Sequence, residues 1–198
     1  MKKSIFLLIL CFLAFVCFAQ KINIMDYFPT EIGTMWSYTN ENEKMLEIIT
    51  IENSSKNSDN SYLYLFSDYV DGLGTTKSLY NAQNNKICLV VAKDLFGNYH
   101  EKKDPCPVIL ADPDKKGTYI DNGDNYNYEV IKSNCKFDDK NFPDCIVVIE
   151  KIVANDTILR TKKSYYAKGI GLVYETIIGS SNKETVYRKL VTSSITIN

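Results

Sequence analysis

Apolar and polar residues alternate along most of this chain with the period of two that marks a β-strand. The clearest case is residues 157–178, TILRTKKSYYAKGIGLVYETII, which predict a strand, a turn at Lys168-Gly169-Ile170-Gly171 and a second strand. Gly169 and Gly171 are expected to supply the positive backbone angles or close approach of that corner. The rest of the chain predicts further strands built onto this hairpin.

Upstream, residues 26–38 combine Pro29 and Gly33 into a turn or short helical turn that feeds a strand holding Met35, Trp36 and Tyr38. Residues 44–52 (KMLEIITIE) predict a strand, and 53–60 (NSSKNSDN) a polar loop. Residues 61–70 (SYLYLFSDYV) set Tyr62, Tyr64 and Phe66 against Leu63 and Leu65, apolar on both faces, as for a strand covered on both sides. Residues 75–80 return, and 86–93 form a short buried strand. Pro105, Pro107 and Pro113 exclude long elements, leaving 107–111 as a short edge strand. Residues 126–132 form a strand, followed by a loop holding Cys135 and Pro143. The most hydrophobic strand, 145–154, comes next, and 185–191 is the last clear one. No amphipathic helix stands out beyond the N-terminal segment. The predicted fold is all-β, an antiparallel meander forming a curved sheet, half-barrel or barrel, with a sandwich still open and few or no helices.

The first nineteen residues differ. Lys2 and Lys3 precede an apolar run over 5–18 and a small residue, Ala19, the pattern of a secretory signal peptide. The run is shorter than the roughly 20 residues of a spanning helix. Cleavage before Gln20 leaves residues 20–198 as a single antiparallel β domain that does not span the membrane, in the periplasm or outside the cell. Val16 before Cys17 and Leu10 before Cys11 disfavour lipidation at either cysteine. Without the two signal lysines, the 23 basic residues become 21 against 24 acidic ones, a net charge of −3 that argues against a nucleic-acid partner. Arg160 and Arg188 are the only arginines, so bidentate clamps are expected to be scarce.

Outside the signal lie Cys88, Cys106, Cys135 and Cys145. An even count in an exported chain predicts disulfides; three pairings are possible, and the lower cost of closing short loops favours Cys88 with Cys106 and Cys135 with Cys145. No C-x-x-C spacing suggests a zinc ribbon. The single histidine, His100, sits in a polar stretch without a G-x-S-x-G elbow, and the acids at 112, 114, 121 and 124 do not follow a calcium-loop pattern. No catalytic residue, metal ligand or cofactor is assigned, and the chain is not expected to be an enzyme.

Three segments carry a resemblance. Phe28, Pro29, Gly33, Trp36 and Tyr38 form an "FP…G…W-x-Y" pattern, and Tyr165, Tyr166, Ala167, Gly169, Gly171, Leu172 and Val173 form "Y-Y-A-x-G-[IV]-G-L-V". Residues 141–147 (NFPDCIV) look like an "F-x-[DN]-C-[IL]-x-V" strand start. Together they resemble a loose group of secreted bacterial β proteins of unknown function. More distantly, that group resembles periplasmic carriers that cradle lipid on a curved sheet. The resemblance implies a non-catalytic binding or carrier module for an apolar or amphipathic ligand, such as a lipid or apolar small molecule. The alternative is an interaction domain for an envelope or extracellular protein. Trp36, Tyr62, Tyr64 and Phe66 are the candidate ligand-lining residues, although sheet packing accounts for such aromatics as readily.

Overall fold

A computed structural model describes residues 22–83, 85–103 and 105–194; the predicted signal segment lies outside these residues. A 3-10 turn (Ile24–Tyr27), capped by the Asn23 side chain, opens the described chain. Thirteen strands follow: β1 (Met35–Thr39), β2 (Leu46–Lys56), β3 (Tyr62–Val70), β4 (Gly74–Gln83), β5 (Lys86–Lys93), β6 (Tyr99–Glu101), β7 (Val108–Ala111), β8 (Lys116–Asp121), β9 (Asp124–Phe137), β10 (Lys140–Ala154), β11 (Thr157–Ala167), β12 (Gly171–Ile178) and β13 (Glu184–Ser193).

All pairings are antiparallel. Two meanders, β1 to β6 and β8 to β13, are joined side by side where β1 pairs with β13, giving the order β6-β5-β4-β3-β2-β1-β13-β12-β11-β10-β9-β8. The sheet is curved and not closed into a barrel. Its two ends approach without a shared ladder. β7 pairs with β5 near one end and packs against β9 and β10 near the other, and Lys102 past β6 forms an ion pair of 2.7 Å with Asp121 of β8.

The alternation seen in the sequence becomes an inner and an outer face. Trp36 and Tyr38, Ile51, Tyr64 and Phe66, Ile146 and Val148, Tyr166, Val173 and Leu190 are buried. β3 corrects the two-sided expectation: Tyr64 and Phe66 are buried, while Leu63 and Leu65 are only half-buried. β10 is enclosed on both faces from Cys145 to Val148. Over its outer side, Phe137 stacks on Tyr174 at 4.0 Å and meets Tyr165 edge-on at 4.9 Å. Burial pushes the Tyr165 phenol up to about 12.

Three boundaries differ most from the expected ones. β2 continues through Asn53–Lys56, because a register shift after Ile51 lets this polar stretch pair with Tyr62–Leu65. The predicted loop around Cys135 and Pro143 is the tip of a long hairpin, in which β9 runs on to Phe137 and β10 starts at Lys140. Pro143 sits where the ladder is interrupted between Phe142 and Cys145, which is how a proline is accommodated in a paired strand. β6 and β8 are strands that the pattern did not reveal.

Candidate functional site

The β11–β12 turn is the anchor of the site. Gly169 and Gly171 have φ of +74° and +94°. The Gly169 amide donates to the Asp26 carbonyl at 2.6 Å, and the Lys168 amide to the Asp144 carbonyl at 3.1 Å. The Trp36 indole N–H donates to the Ile170 carbonyl at 2.6 Å, and the Tyr38 hydroxyl to the Leu172 carbonyl at 2.9 Å. The Tyr27 hydroxyl donates to Asp144 Oδ1 at 2.8 Å. The three segments that carried the resemblance thus meet at one place, each supplying polar groups that satisfy another.

Beside this junction the concave face holds a cavity of about 120 Å³. Phe28, Trp36, Phe66 and Tyr80 wall it, with Ile49, Ile109 and Leu172. Phe66 meets Tyr80 edge-on at 4.8 Å, lies 5.4 Å from Phe28 and stacks on Trp36 at 6.1 Å. Of the four residues proposed from sequence, Trp36 and Phe66 line this cavity. Tyr64 is buried beside Phe28, with ring centroids 6.1 Å apart, and is not among the lining residues. Tyr62 is 41% exposed, under Lys56, and is also not part of the wall.

The floor is charged: Asp68, Lys162, Glu175 and Arg188 contribute to the lining. Each stands in phase with apolar inner-face residues: Asp68 after Tyr64 and Phe66, Lys162 before Tyr166, Glu175 after Val173, and Arg188 before Leu190. Arg188 forks onto Glu47 of β2, through Nε to Oε2 at 2.6 Å and Nη2 to Oε1 at 2.5 Å. Its Nη1 reaches Glu175 at 3.1 Å, and Nη2 lies 3.5 Å from Asp68 Oδ2. Ser164 donates to Glu175 at 2.6 Å. Lys162 pairs with its cross-strand neighbour Glu150 at 2.5 Å, and Tyr119 of β8 donates to the same carboxylate. A polar belt therefore crosses the inner face from β3 to β8. Burial would push Lys162 down, but Glu150 and Glu175 reverse that and hold it above its ordinary value. Burial opposes ionisation of Glu175 too, and Lys162 and Arg188 overcome it, so its carboxyl is held low.

Asp68 is the exception. Burial, reinforced by the neighbouring Glu47 and only partly opposed by Arg188, pushes it up to about 7. Its Oδ1 is buried with no hydrogen-bond partner among the described residues. The folded protein thus keeps a proton that the unfolded chain gives up near its ordinary 3.8. Between about pH 4 and 7 the native state binds more protons, so this residue makes stability fall as pH rises through that window. Melting curves of wild type and Asp68→Asn across pH 4–8 check this. The wild type is expected to lose stability relative to the variant as pH climbs, and parallel curves would refute it.

The expected disulfides are not formed among the described residues. The thiols lie beside the partners that loop closure favoured, with the Cys88 side chain hydrogen-bonded to that of Cys106 and Cys145 to that of Cys135. The thiols are also turned toward backbone: Cys88 Sγ lies 4.0 Å from the Cys106 carbonyl, and Cys145 Sγ lies 3.6 Å from that of Phe142. The contact with Cys106, together with burial, raises the Cys88 thiol far above its usual range; burial and Cys135 do the same for Cys145. His100 lies on exposed β6, 3.0 Å from Asp94, and is not a cavity-lining residue.

The fold has been seen before. A crystal structure of a candidate lipoprotein from Parabacteroides distasonis matches with a TM-score of 0.51 at 12% identity, over 85% of this chain and 98% of that one. A candidate exported protein with a YmcC-like fold from Bacteroides fragilis matches with a TM-score of 0.47 at 12% identity, over 84% and 98%. No protein-family model matches the chain, and no curated protein matches its sequence. Among the described residues, no helix is long and apolar enough to cross a membrane, and no group of three or more His, Cys, Asp or Glu residues is placed to hold a metal ion.

Proposed function

We propose that this protein is an exported, non-catalytic binding module that takes a small amphipathic molecule into the concave-face cavity. The observation that carries the reading is the pairing of an aromatic wall with a charged floor in one partly open cavity, the composition of a small-molecule site rather than of a packing defect. Its volume of about 120 Å³ is below the ~150 Å³ of an apolar cavity that holds benzene. It therefore suits a short chain, and a whole acyl chain exceeds it. Export is supported by the charge, apolar run and small residue of positions 1–19 and by the similarity in fold to the candidate lipoprotein.

Trp36 is the single tryptophan and lines the cavity, so its emission reports occupancy directly. Titrating the purified protein with short amphiphiles is expected to shift that emission saturably. Native mass spectrometry is expected to show one bound molecule and no product. An unchanged spectrum and a bare mass across the series would defeat the binding reading, and turnover abolished by Asp68→Asn would defeat the non-catalytic one. Interaction with an envelope protein is the second reading. It is favoured by Leu73, Leu95, Phe96 and Tyr99, exposed on the neighbouring β3–β4 and β5–β6 hairpin ends, with Phe96 at 89%.

A further inference from the structure

The cavity is more specific than its size suggests. Both lining cations are already engaged: Arg188 by Glu47 and Glu175, and Lys162 by Glu150. Four carboxyl groups, Glu47, Asp68, Glu150 and Glu175, share these two cations across the belt. Asp68 receives least: one oxygen lies 3.5 Å from Arg188, and the other, Oδ1, is buried with no partner among the described residues. A buried carboxylate oxygen without a donor is costly, and a donor arriving with a ligand removes that cost. Around it, Phe66, Tyr80, Trp36 and Phe28 offer ring faces and edges, an environment that attracts organic cations over their neutral counterparts.

We infer that the cavity binds an organic ammonium group on a short apolar stem, with Asp68 as its anchor and the aromatic wall around its stem. This rests on the binding reading above and narrows it to a ligand class. An anion is disfavoured because no lining cation is left uncompensated, and a neutral molecule leaves Asp68 Oδ1 unsatisfied unless it brings a hydroxyl.

The groups facing Asp68 are Glu47 from β2, Arg188 from β13, Tyr38 from β1 and Tyr80 from β4, with Glu175 and Lys162 lining the same cavity. Asp68 changes charge near neutrality, at about 7. A cation needs it ionised, so binding should weaken as pH falls, by roughly tenfold between pH 8 and 6.

The test uses Trp36 emission with four probes: n-butylammonium, 1-butanol, butyrate and Nα-acetyl-lysine amide. The expected result is n-butylammonium bound roughly tenfold or more tighter than 1-butanol, butyrate weakest, and the preference declining from pH 8 to 6. Asp68→Asn should erase both the preference and its pH dependence while leaving 1-butanol binding in place. Lysine amide binding as well as n-butylammonium points to a peptide side chain as the source, and n-butylammonium alone to a free amine. Equal binding of alcohol and amine, or a preference for butyrate, overturns the cation inference and leaves the binding reading standing. No response to any probe overturns both. The wild-type pH profile decides the matter even if the variant fails to fold.

Discussion

Replacing Arg188 by methionine is expected to lower the stability of the folded chain by about 3 kcal/mol. Removing one member of a buried ion pair typically costs ~3–5 kcal/mol, because the charges left behind have no compensation. The lower end applies because the Arg188 side chain keeps 20% exposure. Glu47 on β2, Asp68 on β3 and Glu175 on β12 would each lose the guanidinium, and of the three Glu175 would keep Ser164 and Lys162. These strands lie on both sides of the β1–β13 seam, so the loss should not be confined to one hairpin. Arg188→Lys keeps the charge but not the fork that meets both Glu47 oxygens, so it should fall between wild type and methionine. Urea denaturation, comparing midpoints at constant slope, reads this. A methionine variant within about 0.5 kcal/mol of wild type, the range of ordinary surface substitutions, would show that the belt contributes no net stability.

Gly171→Val is expected to cost roughly 2–5 kcal/mol, the sum of two effects that Gly169 separates. Both glycines have positive φ, and a side chain there is strained by roughly 1–2 kcal/mol. At Gly171 an added Cβ would also sit 3.1 Å from Pro29 Cδ and 3.5 Å from two atoms of the Trp36 indole, whereas at Gly169 it would meet nothing within 4 Å. Overpacking of this kind adds roughly 1–3 kcal/mol. Gly169→Val should therefore destabilise less than Gly171→Val, and only Gly171→Val should disturb Trp36 emission. Equal melting shifts for the two variants would contradict the close packing of turn against N-terminal segment.

The strands that the residue pattern revealed are those with an apolar face to bury. β10 and the β11–β12 hairpin were visible because Cys145–Val148, Tyr166 and Val173 are core residues. The polar tail of β2, Asn53–Lys56, and the short β6 were not, since their residues are mostly exposed and neighbouring strands, rather than burial, hold them in place. β8 keeps one buried aromatic, Tyr119, too little for a periodic signal. The site was missed for a different reason. Asp68, Glu150, Glu175 and Arg188 read as ordinary surface charges when taken one at a time. Each nevertheless falls two residues from a buried apolar residue of the same strand, on the same face: Phe66, Val148, Val173 and Leu190. A charge in phase with the core was the available signal. The expectation that arginine clamps would be scarce holds in number, yet Arg188 is such a clamp. The cysteines show the reverse case: closure entropy ranks partners by sequence distance and says nothing about whether sulfur bonds to sulfur, and here no disulfide forms among the described residues.

The β1–β13 seam has a consequence for the order in which the molecule is completed. Each meander consists of neighbours in sequence, so each half-sheet closes through short loops. The seam joins strands more than 140 residues apart, as Thr39 faces Lys189, and such contacts are the slowest to form. Glu47 and Asp68 belong to the first half, and Lys162, Glu175 and Arg188 to the second. The cavity floor therefore does not exist in either half alone. Under the proposed binding role, competence would be the last property the chain acquires, and any process that delays arrival of β13 leaves Glu47, Asp68 and Glu175 without their arginine.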